Sequence, residues 1–152
     1  MALVTATLTN TALGLLPQVM GGLAPLPAID SFKVGEGGWL LTPSGVVPRT
    51  PDATLTDLDC IVNPTRYPLD SVATFSKALV GGDIVFIAPG TLEVTCLLDF
   101  GDFNNDGFGN NPEIYEIGLF AGTTMMAYGT FQQQVKTPGN QLPNTIRITF
   151  GI

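Results

Sequence analysis

Asp102, Asn104, Asp106 and Glu113 lie in the stretch DFGDFNNDGFGNNPE at the spacing of an EF-hand calcium loop, D-x-[DN]-x-[DN]-G-x5-E, with Gly107 at the glycine position. Hard oxygen ligands at these positions, with the Phe108 carbonyl as the backbone donor, could surround calcium. A sensor of that type also needs a helix on each side, because a helix carries in the last, bidentate glutamate. The flanking sequence argues against this. Gly109 stands where the motif wants an apolar residue, and Pro112 immediately before Glu113 opposes a helical exit. The expectation is therefore a long hairpin loop that serves as a protein contact and holds calcium weakly or not at all.

The same acids suggest a second chemistry. Asp99 with Asp102, and Glu113 with Glu116, are near enough in sequence to act as an acid and base for glycoside hydrolysis. Six acids from Glu93 to Glu116 with no base between them fit a solvated or ion-facing patch better, and no catalytic residue is assigned. The chain has no histidine, which removes Ser-His-Asp and Cys-His systems and every histidine-ligated metal centre. Two cysteines cannot build a zinc site unaided, and a phosphate-cradling GxxxxGK[ST] loop is absent from the sequence. The expectation is a protein that is not an enzyme and needs no cofactor.

The elements that must position these residues are mostly strands. DIVFIAP, TLEVTCLLDF, EIYEIGLF, MMAYGTF and NTIRITF are five short runs rich in β-branched and aromatic residues, separated by Pro-Gly, by the Asp/Asn/Gly loop, by Ala-Gly-Thr and by Pro-Gly-Asn. In TLEVTCLLDF, Leu92, Val94, Cys96, Leu98 and Phe100 alternate with Glu93, Thr95 and Asp99, so one face is buried. Upstream, Thr9 or Asn10 is a fit N-cap for a short helix near Leu13 to Met20 that stops at Gly21, with Pro17 kinking it. Ile29 to Val34 reads as extended and Gly35 to Gly38 as a turn. Leu40 to Thr56, with Pro43, Pro48 and Pro51, reads as irregular. Leu58 to Val62 reads as a strand, and SVATFSKAL fits either a strand or a helical turn.

Together these give a mainly β fold, with α+β open: an antiparallel meander or sandwich with one short N-terminal helix, in a single domain over residues 1–152. Only 12% of residues are charged, with 18 glycines and 12 prolines, as in a β-rich domain whose surface is partly covered by neighbours. A net charge of -7, with no run of bases, argues against nucleic acid and anionic membranes as partners. Met1 to Ile29 is uncharged, yet Pro17, Pro25, Pro27 and the Gly21-Gly22 pair break any apolar helix, and no leading Lys or Arg marks a secretory signal. Cys60 and Cys96 are expected as free, buried thiols.

LTNTALGLL, SFKVGEGGW, EIYEIGLF, MMAYGTF and the late Lys136 before NTIRITF occur in that order. The series resembles the N-terminal attachment domain of bacteriophage tail-collar fibre proteins: a leading helix, a strand into a V-G-[DE]-G-G turn, an E-I-G-L-F strand, its partner and a final strand. Leu40 to Val80 matches weakly. The resemblance implies a virion structural protein of the tail, baseplate or collar, assembled in the bacterial cytoplasm, with other tail or baseplate proteins and copies of itself as partners. Family members continue into a shaft and tip, so these 152 residues correspond to the attachment part, which points to an adaptor and puts receptor binding in doubt. Gly35, Gly37, Gly38, Trp39, Gly118 and Phe131 are the candidate interaction residues. The glycines would supply positive φ or close approach, and Trp39 and Phe131 would be exposed aromatics. A capsid decoration protein and a calcium-dependent carbohydrate-binding module are the alternatives from other classes.

Overall fold

The computed structural model describes residues 2–23 and 27–149. The chain is mainly β, with one helix of useful length. That helix, α1 (Asn10–Met20), is capped by Thr9, whose Oγ1 accepts from the Ala12 amide at 3.1 Å and donates to the Met125 carbonyl at 2.7 Å. A buried cap thus also ties the helix to the strand behind it. Pro17 lies inside α1, and Ala12 is its one buried residue. Leu13 and Leu16 stay exposed, and Met20 is 88% exposed.

The strands are β1 (Ala2–Thr5), β2 (Thr7–Leu8), β3 (Ser31–Gly35), β4 (Trp39–Thr42), β5 (Gly45–Pro48), β6 (Thr74–Ala78), β7 (Ile84–Ala88), β8 (Thr91–Leu98), β9 (Glu113–Ala121), β10 (Thr124–Val135) and β11 (Leu142–Thr149). One sheet has the order β1-β11-β8-β7 and the other β2-β10-β9-β3-β6. The five C-terminal runs all form strands, but not one meander. After β8 the loop 99–112 carries the chain to the second sheet for the β9–β10 hairpin, and β11 returns to pair with β8. β1 closes the first sheet by pairing parallel to β11.

The architecture is a sandwich because the alternating residues of both sheets meet. Leu92, Val94, Cys96 and Leu98 of β8 and Ile146 and Ile148 of β11 share one core with Phe32 and Val34 of β3 and Ile117 and Leu119 of β9. Cys96 sits in that core as a free thiol, and Cys60 is likewise free and buried. The outer face of the second sheet is covered too. Residues 49–72 fold over it, and Leu55, Leu58, Cys60 and Tyr67 form a second core with Phe120, Met125 and Tyr128.

Two local expectations change and one open reading is settled. Leu40 to Thr56 is not wholly irregular, since β4 and β5 form a hairpin. Pro43 occupies its tight turn and Pro48 ends its second strand, positions where a missing N–H costs little. Leu58 to Val62 is not a strand: Asp59–Val62 is a single helical turn, α2, followed by 3₁₀ turns at Pro64–Arg66 and Leu69–Ser71. SVATFSKAL resolves to strand β6, antiparallel to β3.

Candidate functional site

Between the second sheet and the 49–72 segment lies a buried polar cluster centred on Glu116. Its register on β9, opposite Gly35 of β3 and Thr130 of β10, points the carboxylate at the turn after β3 and at the start of α2. Four donors converge on it. Oε1 accepts from the amides of Gly37 at 3.1 Å and Cys60 at 3.2 Å; Oε2 accepts from the Asp59 amide at 2.7 Å and the Tyr128 hydroxyl at 2.6 Å. Glu116 has no exposed surface. Burial pushes its carboxyl upward, against the donors from Tyr128, Cys60 and Asp59.

Asp59 extends the cluster. Its Oδ1 accepts from Asn63 Nδ2 at 2.7 Å and Arg66 Nη1 at 3.0 Å, and its Oδ2 accepts from the Tyr67 hydroxyl, with Arg49 Nε 4.0 Å away. The Tyr67 oxygen in turn accepts from the Gly38 amide at 2.9 Å. A cavity of about 410 Å³ opens above these groups, and Arg49, Asp52, Asp59 and Arg66 line it. Chemically the cluster is a set of closed pairings. Burial, with the Glu116 charge adding to it, pushes the Cys60 thiol far above its ordinary value, so it stays protonated and poorly nucleophilic. Burial does the same to the Tyr67 and Tyr128 hydroxyls.

Three of the four glycines named from sequence surround the Glu116 side chain. A Cβ on Gly35 would stand 2.9 Å from Glu116 Oε1, one on Gly37 2.6 Å from the same atom, and one on Gly38 2.8 Å from Glu116 Cβ. Only Gly38 also has a positive φ, of 81°. Gly35 and Gly37 are therefore glycines for lack of room, not for chain reversal. Gly118 pairs in register with Tyr128, and a Cβ there would meet Met125 Sδ at 2.8 Å, so close approach explains it; the bulge lies on the partner strand, between Met125 and Ala127. Trp39 is half-buried, packed on Tyr67 at 5.2 Å and donating to the Glu36 carbonyl at 2.8 Å. Phe131 is not an exposed aromatic: it is 8% exposed and packs in the core between the sheets.

The other carboxylates part company with Glu116. Glu113 is exposed, and its backbone amide donates to Glu36 Oε1 at 2.9 Å. Asp99 and Asp102 sit at the loop's start, where Asp102 Oδ2 binds Lys77 Nζ at 2.5 Å and the Asp99 amide at 2.8 Å. The acid pairs of the sequence thus form no facing couple. The EF-hand positions also fail to converge. Asn104 Oδ1 accepts from the buried Lys136 at 2.8 Å, and Asp106 turns back onto the amides of Phe108 at 2.7 Å and Asn110 at 3.1 Å. Among the described residues no group of three or more His, Cys, Asp or Glu side chains is placed to hold a metal ion. Ammonium groups from Lys77 and Lys136 stand where a cation would be needed. Burial resists ionisation of Asp102, but Lys77 and the Asp99 amide outweigh it and hold the carboxyl below its ordinary value. Titration calorimetry should accordingly find no calcium binding tighter than about 10 µM. Tighter binding that Asp102→Ala abolishes would overturn this assignment.

Glu36, the acid of the V-G-E-G-G turn, was legible in sequence only as a turn residue. It is 3% exposed, and its two oxygens brace the chain by accepting from the Glu113 amide at 2.9 Å and the Ala73 amide at 3.3 Å. Burial raises its carboxyl from 4.5 to about 7, with Asp106 and Glu113 adding repulsion and the two amides opposing. The folded protein therefore holds a proton that the unfolded chain releases near pH 4.5, and stability falls as pH rises from about 4.5 to about 7. The shift corresponds to about 3 kcal/mol at most. Urea denaturation should show the wild type weaker at pH 8 than at pH 5.5, and Glu36→Gln should flatten that slope. An unchanged slope in the variant would assign the effect elsewhere.

Family models, curated proteins and solved structures yield no match to this chain.

Proposed function

We propose that this chain is a non-enzymatic structural protein of a bacteriophage particle, a tail, baseplate or collar component that connects fibres or neighbouring subunits and works as an oligomer. The observation that carries this reading is the seat of Glu116. The two short motifs behind the resemblance, V-G-E-G-G and E-I-G-L-F, are far apart in sequence but form one device, in which Glu116 of the second holds the Gly37 amide of the first. Gly35, Gly37 and Gly38 leave room for it. Their joint occurrence is then the signature of one packing solution, which is what a shared attachment-domain fold requires.

The chemistry of the cluster agrees with a scaffold role. The acids that could have formed a catalytic pair are separated, Glu116 is committed to four donors, and the buried thiols are held protonated. The apolar surface agrees with assembly: Leu13, Leu16 and Met20 of α1 and Leu41 of the β4–β5 hairpin are exposed in a chain of low charge.

The test is antibody labelling of purified phage particles from a producing host, with mass spectrometry of the same preparation. Label at the tail, baseplate or collar, in multiple copies per particle, is expected. Label over the head would favour a decoration protein, and a chain confined to the particle-free lysate would overturn the virion assignment.

A further inference from the structure

We infer that Lys136 and Asn104 join in an intramolecular amide bond, a covalent staple between the end of β10 and the loop 99–112. Lys136 follows β10 directly and has no exposed surface. A lysine this deep is ordinarily paired with a carboxylate, because a lone buried ammonium is costly. None of the ion pairs among the described residues includes Lys136. Its Nζ meets three neutral oxygens instead: Asn104 Oδ1 at 2.8 Å, the Thr137 carbonyl at 2.8 Å and the Phe100 carbonyl at 3.5 Å.

The side-chain amide is oriented for acyl transfer. Asn104 Nδ2 donates to the Phe100 carbonyl at 2.7 Å, which turns Oδ1, and the carbon that carries it, toward Lys136. Nucleophile and carbonyl are thus in contact before any motion, the chief advantage an intramolecular reaction has. The backbone fixes this aim. Phe103 holds a φ of 48°, in the left-handed region, and its ring stacks on Phe75 at 5.7 Å. Its two neighbours, Asp102 and Asn104, then reach Lys77 and Lys136 respectively.

Burial pushes the Lys136 ammonium down, against the charges of Asp102 and Asp99, and so favours the free amine. Asp102 is held ionised, as a proton acceptor must be. In the reaction Lys136 Nζ gives one proton to Asp102 and attacks Asn104 Cγ. The Nζ–Cγ bond forms and the Cγ–Nδ2 bond breaks. A second Nζ proton and the one on Asp102 pass to the departing nitrogen, which leaves as ammonium. Asn104 is half-buried, so the ammonium has a way out to solvent. One turnover joins positions 32 residues apart and ties the crossing between the two sheets to β10. No external substrate is consumed, so the step suits a structural protein, and the purified chain tests it whether or not the virion assignment holds.

The test is the intact mass of the purified, folded chain. It should lie below the sequence mass by about 17 Da, one ammonia. Trypsin should then fail to cut after Lys136, so that residues 78–147 emerge as one peptide, lighter by the same amount. Asn104→Ala leaves Lys136 its two backbone carbonyls and should restore both the full mass and the cut. Asp102→Asn should leave most of the chain unjoined, since removing a positioned base slows such a step by about 10²–10⁴-fold. A folded wild type at its full sequence mass would overturn the inference. So would the same mass loss with ordinary cleavage after Lys136, which marks a succinimide at Asn104-Asn105 instead. Complete joining in Asp102→Asn would overturn the proton route.

Discussion

Glu116→Ala should destabilise the fold by about 3–5 kcal/mol, because four buried donors lose their acceptor and the shortened side chain leaves a cavity. The loss is more than four hydrogen bonds. The amides of Gly37, Asp59 and Cys60 and the hydroxyl of Tyr128 would remain buried with no acceptor, and each orphaned donor carries a desolvation cost of about 1–3 kcal/mol. Water entering from the cavity beside Tyr128 can recover part of this, which keeps the total below the simple sum. The effect should be localised before it is global. Hydrogen exchange of the Gly37, Asp59 and Cys60 amides should accelerate first, and the urea midpoint should fall with little change in slope. Glu113→Ala is the control. That side chain is exposed, and its loss should stay within about 0.5 kcal/mol. Equal effects of the two substitutions would show that Glu116 does not anchor the turn after β3 and the start of α2.

Those two glutamates also mark how far the sequence could be read. Glu113 and Glu116 look alike there, because spacing within a strand tells which face a residue takes but not what covers that face. The cover for Glu116 comes from Asp59 and Cys60, more than fifty residues upstream. The same remoteness hid α2: Leu58 to Val62 has strand-like composition, and what winds it into a turn is a carboxylate on β9 accepting its first amides. Local signals fared better. The Thr9 cap, the Gly21 stop, the alternation of TLEVTCLLDF and the turns between the five runs all depend on neighbours in sequence, and all are found as strands, turns and a helix where those signals lie. What periodicity could not convey is which sheet each strand joins. A strand pattern is the same on either side of a sandwich, so the crossing at loop 99–112 was invisible. The EF-hand spacing, which the flanking Gly109 and Pro112 already argued against, could not by itself show where its oxygens go. It specifies oxygen atoms along the chain, and in the folded loop Lys77 and Lys136, from distant strands, claim two of them.

Gly37→Ala tests the same anchor from the opposite side. Gly37 does not occupy the left-handed region, so alanine could adopt its backbone conformation, and stiffening the unfolded chain would by itself stabilise by about 0.4–1 kcal/mol. Space decides against it. The new Cβ would lie 2.6 Å from Glu116 Oε1 and 2.7 Å from both the amide nitrogen and the Cβ of Cys60. Neither neighbour can retreat cheaply: Glu116 is held by three further donors, and the Cys60 amide is itself one of them. Overpacking of this kind costs about 1–3 kcal/mol, and displacement of the carboxylate from the remaining amides adds to it. Gly14→Ala supplies the contrast, since its site on α1 has no atom within 4 Å and the change should stabilise by up to about 1 kcal/mol. A double-mutant cycle separates clash from general damage. In a Glu116→Ala background the closest contact is gone while the Cys60 contact stays, so Gly37→Ala should cost less there by about 1 kcal/mol or more, within the usual coupling range for touching residues. Additive costs would mean that Gly37 is constrained by Cys60 alone, and that the carboxylate does not shape the turn whose amide it accepts from.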